Sequence, residues 1–228
     1  MKSNRTKLKH LSLFAAVIGF TVFLSSCSKD DDIETGKSVS VKVVNSAEAS
    51  GSQDFYIEGA KVTTVSEGSA SENYIVSTNS GNDRKVEFKM AGSSEVYASE
   101  KVDLKDDKSY TVILSGTGNS AKITTTEDDL TAPASGKARV RFVHLSTAAS
   151  GNVDLGVVAG AKLVSNVKYG DVTNFFDVDA GVKLLNVYTT ANPSSSMDLQ
   201  MSNLADGGIY TIILRGSTNV SAQVVRNK

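Results

Sequence analysis

Tyr110-Thr111-Val112-Ile113-Leu114-Ser115-Gly116 returns one hundred residues later as Tyr210-Thr211-Ile212-Ile213-Leu214-Arg215-Gly216. An aromatic, a threonine and three successive aliphatics suit a strand, and the glycine suits the turn that ends it. Working outward, Val41-Lys42-Val43-Val44-Asn45 resembles Val140-Arg141-Phe142-Val143-His144, and Ala49-Ser50-Gly51 recurs as Ala149-Ser150-Gly151. Asp54 and Asp154 follow in step, and Gly59-Ala60-Lys61 recurs as Gly160-Ala161-Lys162. Four blocks keep their order at offsets of 99 to 101, which marks a tandem repeat. The unit is too long for a solenoid repeat and fits a domain.

The pattern inside each copy is β. Val86, Phe88 and Met90 alternate with Lys85, Glu87 and Lys89, so one face is dry. Strands are expected in the first copy at 39–45, 55–58, 74–77, 85–90, 95–102 and 109–115. In the second they are expected at 138–145, 153–158, 162–167, 173–178, 182–188, 197–204, 209–215 and 220–226. Short strands at this spacing indicate a sandwich or barrel, and no helical periodicity appears outside the N-terminal segment. A single helical turn in a connection is compatible with this. The expected organisation is a first β-sandwich over 38–126, a linker EDDLTAPASGK over 127–137, and a second β-sandwich over 138–228.

The N-terminal segment is a targeting signal. Lys2, Arg5, Lys7 and Lys9 precede the mostly apolar run Leu11 to Leu24, which suits a signal h-region and is short for a membrane span. The run ends in Leu24-Ser25-Ser26-Cys27, which resembles the lipobox of bacterial lipoproteins. That resemblance implies cleavage after residue 26 and lipidation of Cys27, the only cysteine of the chain. The alternative is an ordinary small residue near a signal cleavage site. Each buried methylene contributes about 0.8 kcal/mol, so two or three acyl chains hold a protein firmly on its membrane. Lys29, Asp30, Asp31 and Asp32 follow, in a tether over 27–37. They resemble the surface-export signal of Bacteroidota-type lipoproteins; the alternative is a solvated spacer. The expected location is the outer membrane, facing the exterior.

Composition excludes several functions. The chain has 228 residues, 40% hydrophobic and 21% charged, which supports a packed core. Residues 1–26 hold four of the 24 basic residues and no acidic one, so the remainder carries 20 against 25, a net charge of -5. That argues against a nucleic-acid partner. One Cys excludes an intramolecular disulfide framework. His144 is the only histidine after residue 26, so no His or Cys metal site can be assembled and no cofactor is expected. His144 has Asn45 as its counterpart, and both types can hydrogen-bond a loop backbone at a strand end. No G-x-S-x-G elbow, Walker pattern or strand-to-helix GxGxxG is present. Asp106-Asp107 and Asp128-Asp129 read as solvated turns, and Asp177 and Asp179 share a strand face. Phe175 and Phe176, being adjacent, are expected to point to opposite faces. Tyr110 and Tyr210 are candidates for the tyrosine that ties a loop across a sandwich, with both rings buried.

The second copy resembles the domain-of-unknown-function 4397 family over nearly all of 138–226. The family's opening strand A-R-V-R-x-V-H matches Ala138-Arg139-Val140-Arg141-Phe142-Val143-His144, followed by Ser146 and by Val153-Asp154. Its Tyr-Gly-Asp-Val-Thr element matches Tyr169 to Thr173, and its Ala-Gly turn matches Ala180-Gly181. The first copy matches more weakly, and Ala47 and Thr147 stand where the family has proline. The resemblance implies immunoglobulin-like β-sandwiches in an envelope protein and brings no catalytic residues. The expected function is a non-catalytic, surface-exposed binding or adhesion module for an unidentified glycan or protein. The alternatives are a structural envelope component or, further off, a hydrolase or its accessory subunit.

Overall fold

In a computed structural model of the chain, residues 37–201 and 204–228 are described. Cys27 and the run Lys29, Asp30, Asp31 and Asp32 lie outside them. The first copy contains β1 (Val39–Asn45), β2 (Gln53–Ile57), β3 (Ala60–Val65), β4 (Ile75–Ser77), β5 (Gly81–Met90), β6 (Val96–Leu104), β7 (Ser109–Ser115) and β8 (Lys122–Glu127). The second contains β9 (Lys137–His144), β10 (Val153–Val157), β11 (Lys162–Val167), β12 (Phe176–Asp179), β13 (Leu184–Thr189), β14 (Asn192–Gln200), β15 (Ile209–Arg215) and β16 (Ser221–Arg226). The only helical element among the described residues is one 3-10 turn at Gly118–Ser120. Each copy folds as the other does. Sheet β4-β1-β7-β8 faces sheet β3-β2-β5-β6, and sheet β12-β9-β15-β16 faces sheet β11-β10-β13-β14. The pairs β1–β7 and β9–β15 are parallel, and the remaining strand pairs are antiparallel.

Each sandwich has its own core. Val41, Val43, Phe55, Phe88, Val112 and Leu114 pack in the first, and Val140, Phe142, Leu155, Leu185, Ile212 and Leu214 in the second. A third cluster joins them. Val44 and Ile113 from the first copy meet Val143, Leu145, Ile213 and Val225 from the second. Sheets β4-β1-β7-β8 and β12-β9-β15-β16 therefore lie back to back, giving four layers with both inner sheets covered on both faces. The described residues fall within one compact unit. Strands covered on both faces read as near-continuous apolar runs, as β7 and β15 do.

Two strands, β3 and β8, went unread in the sequence although their counterparts β11 and β16 were expected. Ala60–Val65 and Lys122–Glu127 are edge strands rich in Thr and mostly half-exposed, so they lack the apolar signal of a covered strand. The segment 127–137 carries the chain from β8 into β9, with Glu127 closing one strand and Lys137 opening the next.

The repeated residues lock equivalent places. Tyr110 and Tyr210 are each 5% exposed. Their hydroxyls accept hydrogen bonds from the backbone N–H of Lys105 (3.2 Å) and Ala205 (3.0 Å), as expected for corner tyrosines. Asp54 pairs with Lys61 (2.8 Å) and Asp154 with Lys162 (2.6 Å) across the β2–β3 and β10–β11 hairpins. Gly116 and Gly216 sit at φ 79° and 114°, where a Cβ would come within 2.4 Å of the Ser120 carbonyl oxygen and 1.8 Å of that of Asn219. No other residue fits there without moving the turn.

Candidate binding site

The seam between the copies holds a connected group of buried polar side chains. Along β1 and β9, Lys42 and Arg141 stand two residues before Val44 and Val143, so they share the seam face with the apolar cluster. Arg141 is 1% exposed and forms an ion pair with Asp128. Its Nε donates to Thr211 Oγ1 (3.0 Å), and Nη1 donates to Thr126 Oγ1 and the Glu127 carbonyl (3.1 Å each). Asp128 also accepts from the hydroxyls of Tyr74 and Thr111. Asn227 closes the ring: its Nδ2 donates to Tyr74 and Thr111 (3.0 Å each), and its Oδ1 accepts from Thr211 (2.8 Å). Burial raises the Asp128 carboxyl pKa against the pull of Arg141. Burial, then the neighbouring carboxylate, pushes the Tyr74 phenol well up, so Tyr74 stays a donor. Burial also lowers the pKa of Lys42, whose Nζ donates to the Glu72 carbonyl (2.8 Å).

Asp128 therefore departs from the solvated turn expected of Asp128-Asp129: its carboxylate is buried because the second copy supplies Arg141. Asp129 does lie at the surface, bonded to the Thr131 N–H (2.9 Å) and paired with Arg139. Asp177 and Asp179 pair with Arg139 (3.0 Å) and Lys137 (2.6 Å), neighbours across the β9–β12 ladder. Phe176 packs on the second core, whereas Phe175 turns to the seam, its ring centroid 4.8 Å from the Arg141 guanidinium.

Where the loops after β1, β7, β9 and β15 converge, the seam opens into a cleft of about 230 Å³. Its walls carry hydroxyls from both copies: Ser46, Thr117 and Ser120 from one, Thr147, Tyr169 and Ser217 from the other. Ser46 is 2% exposed and its Oγ has no hydrogen-bond partner among the described residues, whereas Oγ of Ser146 donates to the Gly216 carbonyl (2.9 Å). Glu48 accepts from the N–H (2.8 Å) and hydroxyl of Ser217 across the seam, and these bonds lower its pKa. Tyr169 is 40% exposed, with the Lys122 ammonium 5.7 Å from its ring centroid. The cleft thus offers one aromatic face, one cation, one carboxylate and a set of hydroxyls. Among the described residues Glu48 is the only carboxylate in its lining, where glycoside hydrolysis uses a pair. Among the described residues no group of three His, Cys, Asp or Glu could hold a metal ion.

The family described as Domain of unknown function (DUF4397) matches residues 39–156, from the first residue of β1 to Gly156 in β10. The chain belongs to that family. The resemblance read from the residues is fullest over the second copy; the family match takes the whole first sandwich and ends early in the second. No curated protein is a significant sequence match. Among solved structures, the Bacillus anthracis TIE protein is similar at 13% identity and a TM-score of 0.23, covering 78% of this chain and 34% of that one. The chain thus spans about a third of the length of the TIE protein. CBMbc (family CBM26) from Eubacterium rectale Amy13K is similar at 9% identity and a TM-score of 0.25, covering 84% of this chain and 97% of that one. A putative cell adhesion protein from Bacteroides uniformis gives 9% identity, a TM-score of 0.25, and coverage of 84% and 99%. TM-scores this low fix neither fold nor ligand for this chain.

In this DUF4397 protein the histidine of the second copy is a buried loop anchor. His144 is fully buried, and its Nδ1 accepts from the Ser146 N–H (3.4 Å). Asn45 does the same work in the first copy, accepting from the Ala47 N–H (3.3 Å) and donating to the Gly51 carbonyl (2.9 Å). Burial lowers the His144 pKa against the opposing effects of the Gly151 carbonyl and Asp171, which favours the neutral ring. Sequence reading missed both the seam and the cleft. The signal was present: Lys42 and Arg141, and Thr111 and Thr211, recur as polar residues inside otherwise apolar strands. A repeated polar residue at that place marks a second buried face.

Proposed function

We propose that this protein is a non-catalytic cell-envelope lipoprotein, anchored through Cys27 and carrying its paired sandwiches as a surface-exposed binding module. The cleft at the seam carries this reading. Both copies contribute to it, it combines hydroxyls with an exposed Tyr169, and the buried Ser46 Oγ lacks a partner among the described residues. A buried hydroxyl without a hydrogen bond costs about 1–3 kcal/mol, which a ligand acceptor placed there would recover. The cleft is smaller than the roughly 300–1,000 Å³ of drug-sized sites, so it suits one polar unit of a larger ligand, such as a single sugar of a glycan or one side chain of a protein.

The test has two arms. Protease shaving of intact cells compares native protein with a variant in which Asp30, Asp31 and Asp32 are all Ala, alongside palmitate labelling of native and Cys27→Ser protein. Surface display predicts that native protein is cleaved and the acidic-run variant protected. Glycan and protein arrays probed with native and Tyr169→Ala chains then test the cleft. A second reading, a structural envelope component, is favoured by the seam itself, since a buried ion pair and an apolar cluster tie the two copies together. Protection of both forms while lipidated, with no array signal, would place that reading first.

A further inference from the structure

The two sandwich cores are not filled alike. In the first copy Phe55 and Phe88 pack ring against ring, centroids 4.9 Å apart. The ladder partner of Phe88 is Ala98, and a register shift after that pair leaves Tyr97 as an extra residue of β6. Tyr97 packs against the first core, and its hydroxyl accepts from the Gly118 N–H (3.1 Å), closing that end of the sandwich. In the second copy the places of Phe55 and Phe88 are taken by Leu155 and Val187, which pair with each other as the phenylalanines do. Met197 pairs with Val187 and Ser196 with Tyr188, and the register of β14 slips only after that pair, between Tyr188 and Thr189, so no extra residue stands directly before Met197 where β6 has Tyr97.

Ser196 stands before Met197 as Tyr97 stands before Ala98, and the space beside it opens to the surface. A pocket of about 180 Å³ opens at this end of the second sandwich, lined by Val153, Val187, Met197 and Val220 together with the polar Ser150, Thr189 and Ser196. A volume of roughly 150 Å³ is enough to take a benzene ring, and the hydroxyls at this rim suit a ring that carries a polar group. We infer that this pocket is a binding site for one aromatic ring, a Phe or Tyr side chain presented by a partner polypeptide. The first copy supplies the template for that occupant, because there the chain fills the corresponding place with its own rings. The inference concerns a site separate from the seam cleft and stands or falls independently of it.

The test uses the full chain, methyl-resolved NMR, and p-cresol and N-acetyl-tyrosinamide as probes, with N-acetyl-alaninamide as control. Saturable shifts at Val153, Val187 and Val220 with both aromatic probes, and none with the control, are expected. Val187→Phe, which restores the ring of the first copy, should weaken p-cresol binding at least tenfold. Ser196→Trp at the rim should do so without touching the core, and it decides the matter if Val187→Phe does not fold. Absence of saturable shifts, or unchanged binding in Ser196→Trp, overturns the inference. Binding of p-cresol but not of N-acetyl-tyrosinamide overturns the polypeptide occupant.

Discussion

The two copies share a strand order and differ in what they bury. The first fills its core with Phe55, Phe88 and Tyr97, whereas the second uses Leu155, Val187 and Met197. At the seam the difference is in charge. Asp128 follows β8 in the first copy, and Asn227 holds the equivalent place after β16 in the second. Arg141 therefore finds a carboxylate across the seam, and Lys42 has an amide in the matching place. A seam built with strict symmetry would bury two ion pairs and their desolvation twice. Exchanging one carboxylate for an amide leaves a single pair, and the hydrogen-bonded ring through Tyr74, Thr111, Asn227 and Thr211 satisfies what remains.

The sharpest break in that comparison comes from the ion pair. Arg141→Met leaves Asp128 buried without its cation, and a loss of about 3–5 kcal/mol is expected in denaturant unfolding. Adding Asp128→Leu should recover most of it, because removing both charges removes the penalty as well as the attraction. Lys42→Met should cost far less, since its ammonium donates to the Glu72 carbonyl and feels Asp128 and Glu72 only at a distance, with no ion-pair contact among the described residues. Equal losses for Arg141→Met and Lys42→Met would mean that the seam is electrostatically symmetric after all.

A smaller effect tests where the copies are alike. Tyr110→Phe and Tyr210→Phe each remove one hydrogen bond to a backbone N–H, worth about 1 kcal/mol. The two losses should agree and should add in the double variant, since the sites lie in separate cores. Thermal unfolding of the three variants measures this. A much larger loss for one of them would show that its corner supports more than its own loop.

These corners were legible in the sequence because the repeat displayed them twice. Tyr, Thr, aliphatics and Gly recur in one order, and each residue has a local job that spacing reveals: a strand, a corner bond, a tight turn at Gly116 or Gly216. The Asp54–Lys61 and Asp154–Lys162 pairs were visible as recurring residues but not as contacts, because only the hairpin register brings them together. The seam was less legible still. Asp128 sits in a stretch of charge, Pro, Ser and Gly that reads as solvated, and its burial depends on Arg141 in the neighbouring sheet. Packing between distant faces leaves no periodic mark on a connecting segment. The cleft hydroxyls were unreadable for a similar reason: Ser and Thr abound throughout the chain, and convergence alone separates Ser46, Thr147 and Ser217 from the rest.

Acid should expose the hairpin pairs in both copies together. The Asp54 carboxyl is held below its ordinary range by Lys61 and Thr64, and that of Asp154 by Lys162 and Thr190 against the cost of burial. A depressed folded pKa gives stability that is full above the unfolded value, near pH 4, and is lost as pH falls through the folded value. Lys61→Met and Lys162→Met should each flatten the fall in stability below pH 4, to similar extents. Chemical denaturation at pH 5 and pH 3 reads the change, and a flattening confined to one variant would show that the hairpins have diverged.

The smallest expected effect separates the copies at one residue. His144 is buried and its pKa is lowered chiefly by that burial, whereas Asn45 in the same role does not titrate. Near and below the ordinary histidine pKa of about 6.5 the unfolded chain takes up a proton that the folded ring refuses. Stability contributed by the neutral ring is therefore full above that value and declines as pH drops toward the folded pKa. His144→Asn installs the residue of the first copy and should remove this decline between pH 7 and pH 5 while leaving stability at pH 7 within about 1 kcal/mol. His144 is the only histidine after residue 26 and the hairpin carboxylates titrate lower, but burial raises the Asp128 carboxyl, so the comparison with His144→Asn, and not the window alone, assigns the change. A decline that persists in His144→Asn would assign the titration to another group, and a large loss at pH 7 would mean that the imidazole supports its loop in a way that the asparagine amide cannot replace.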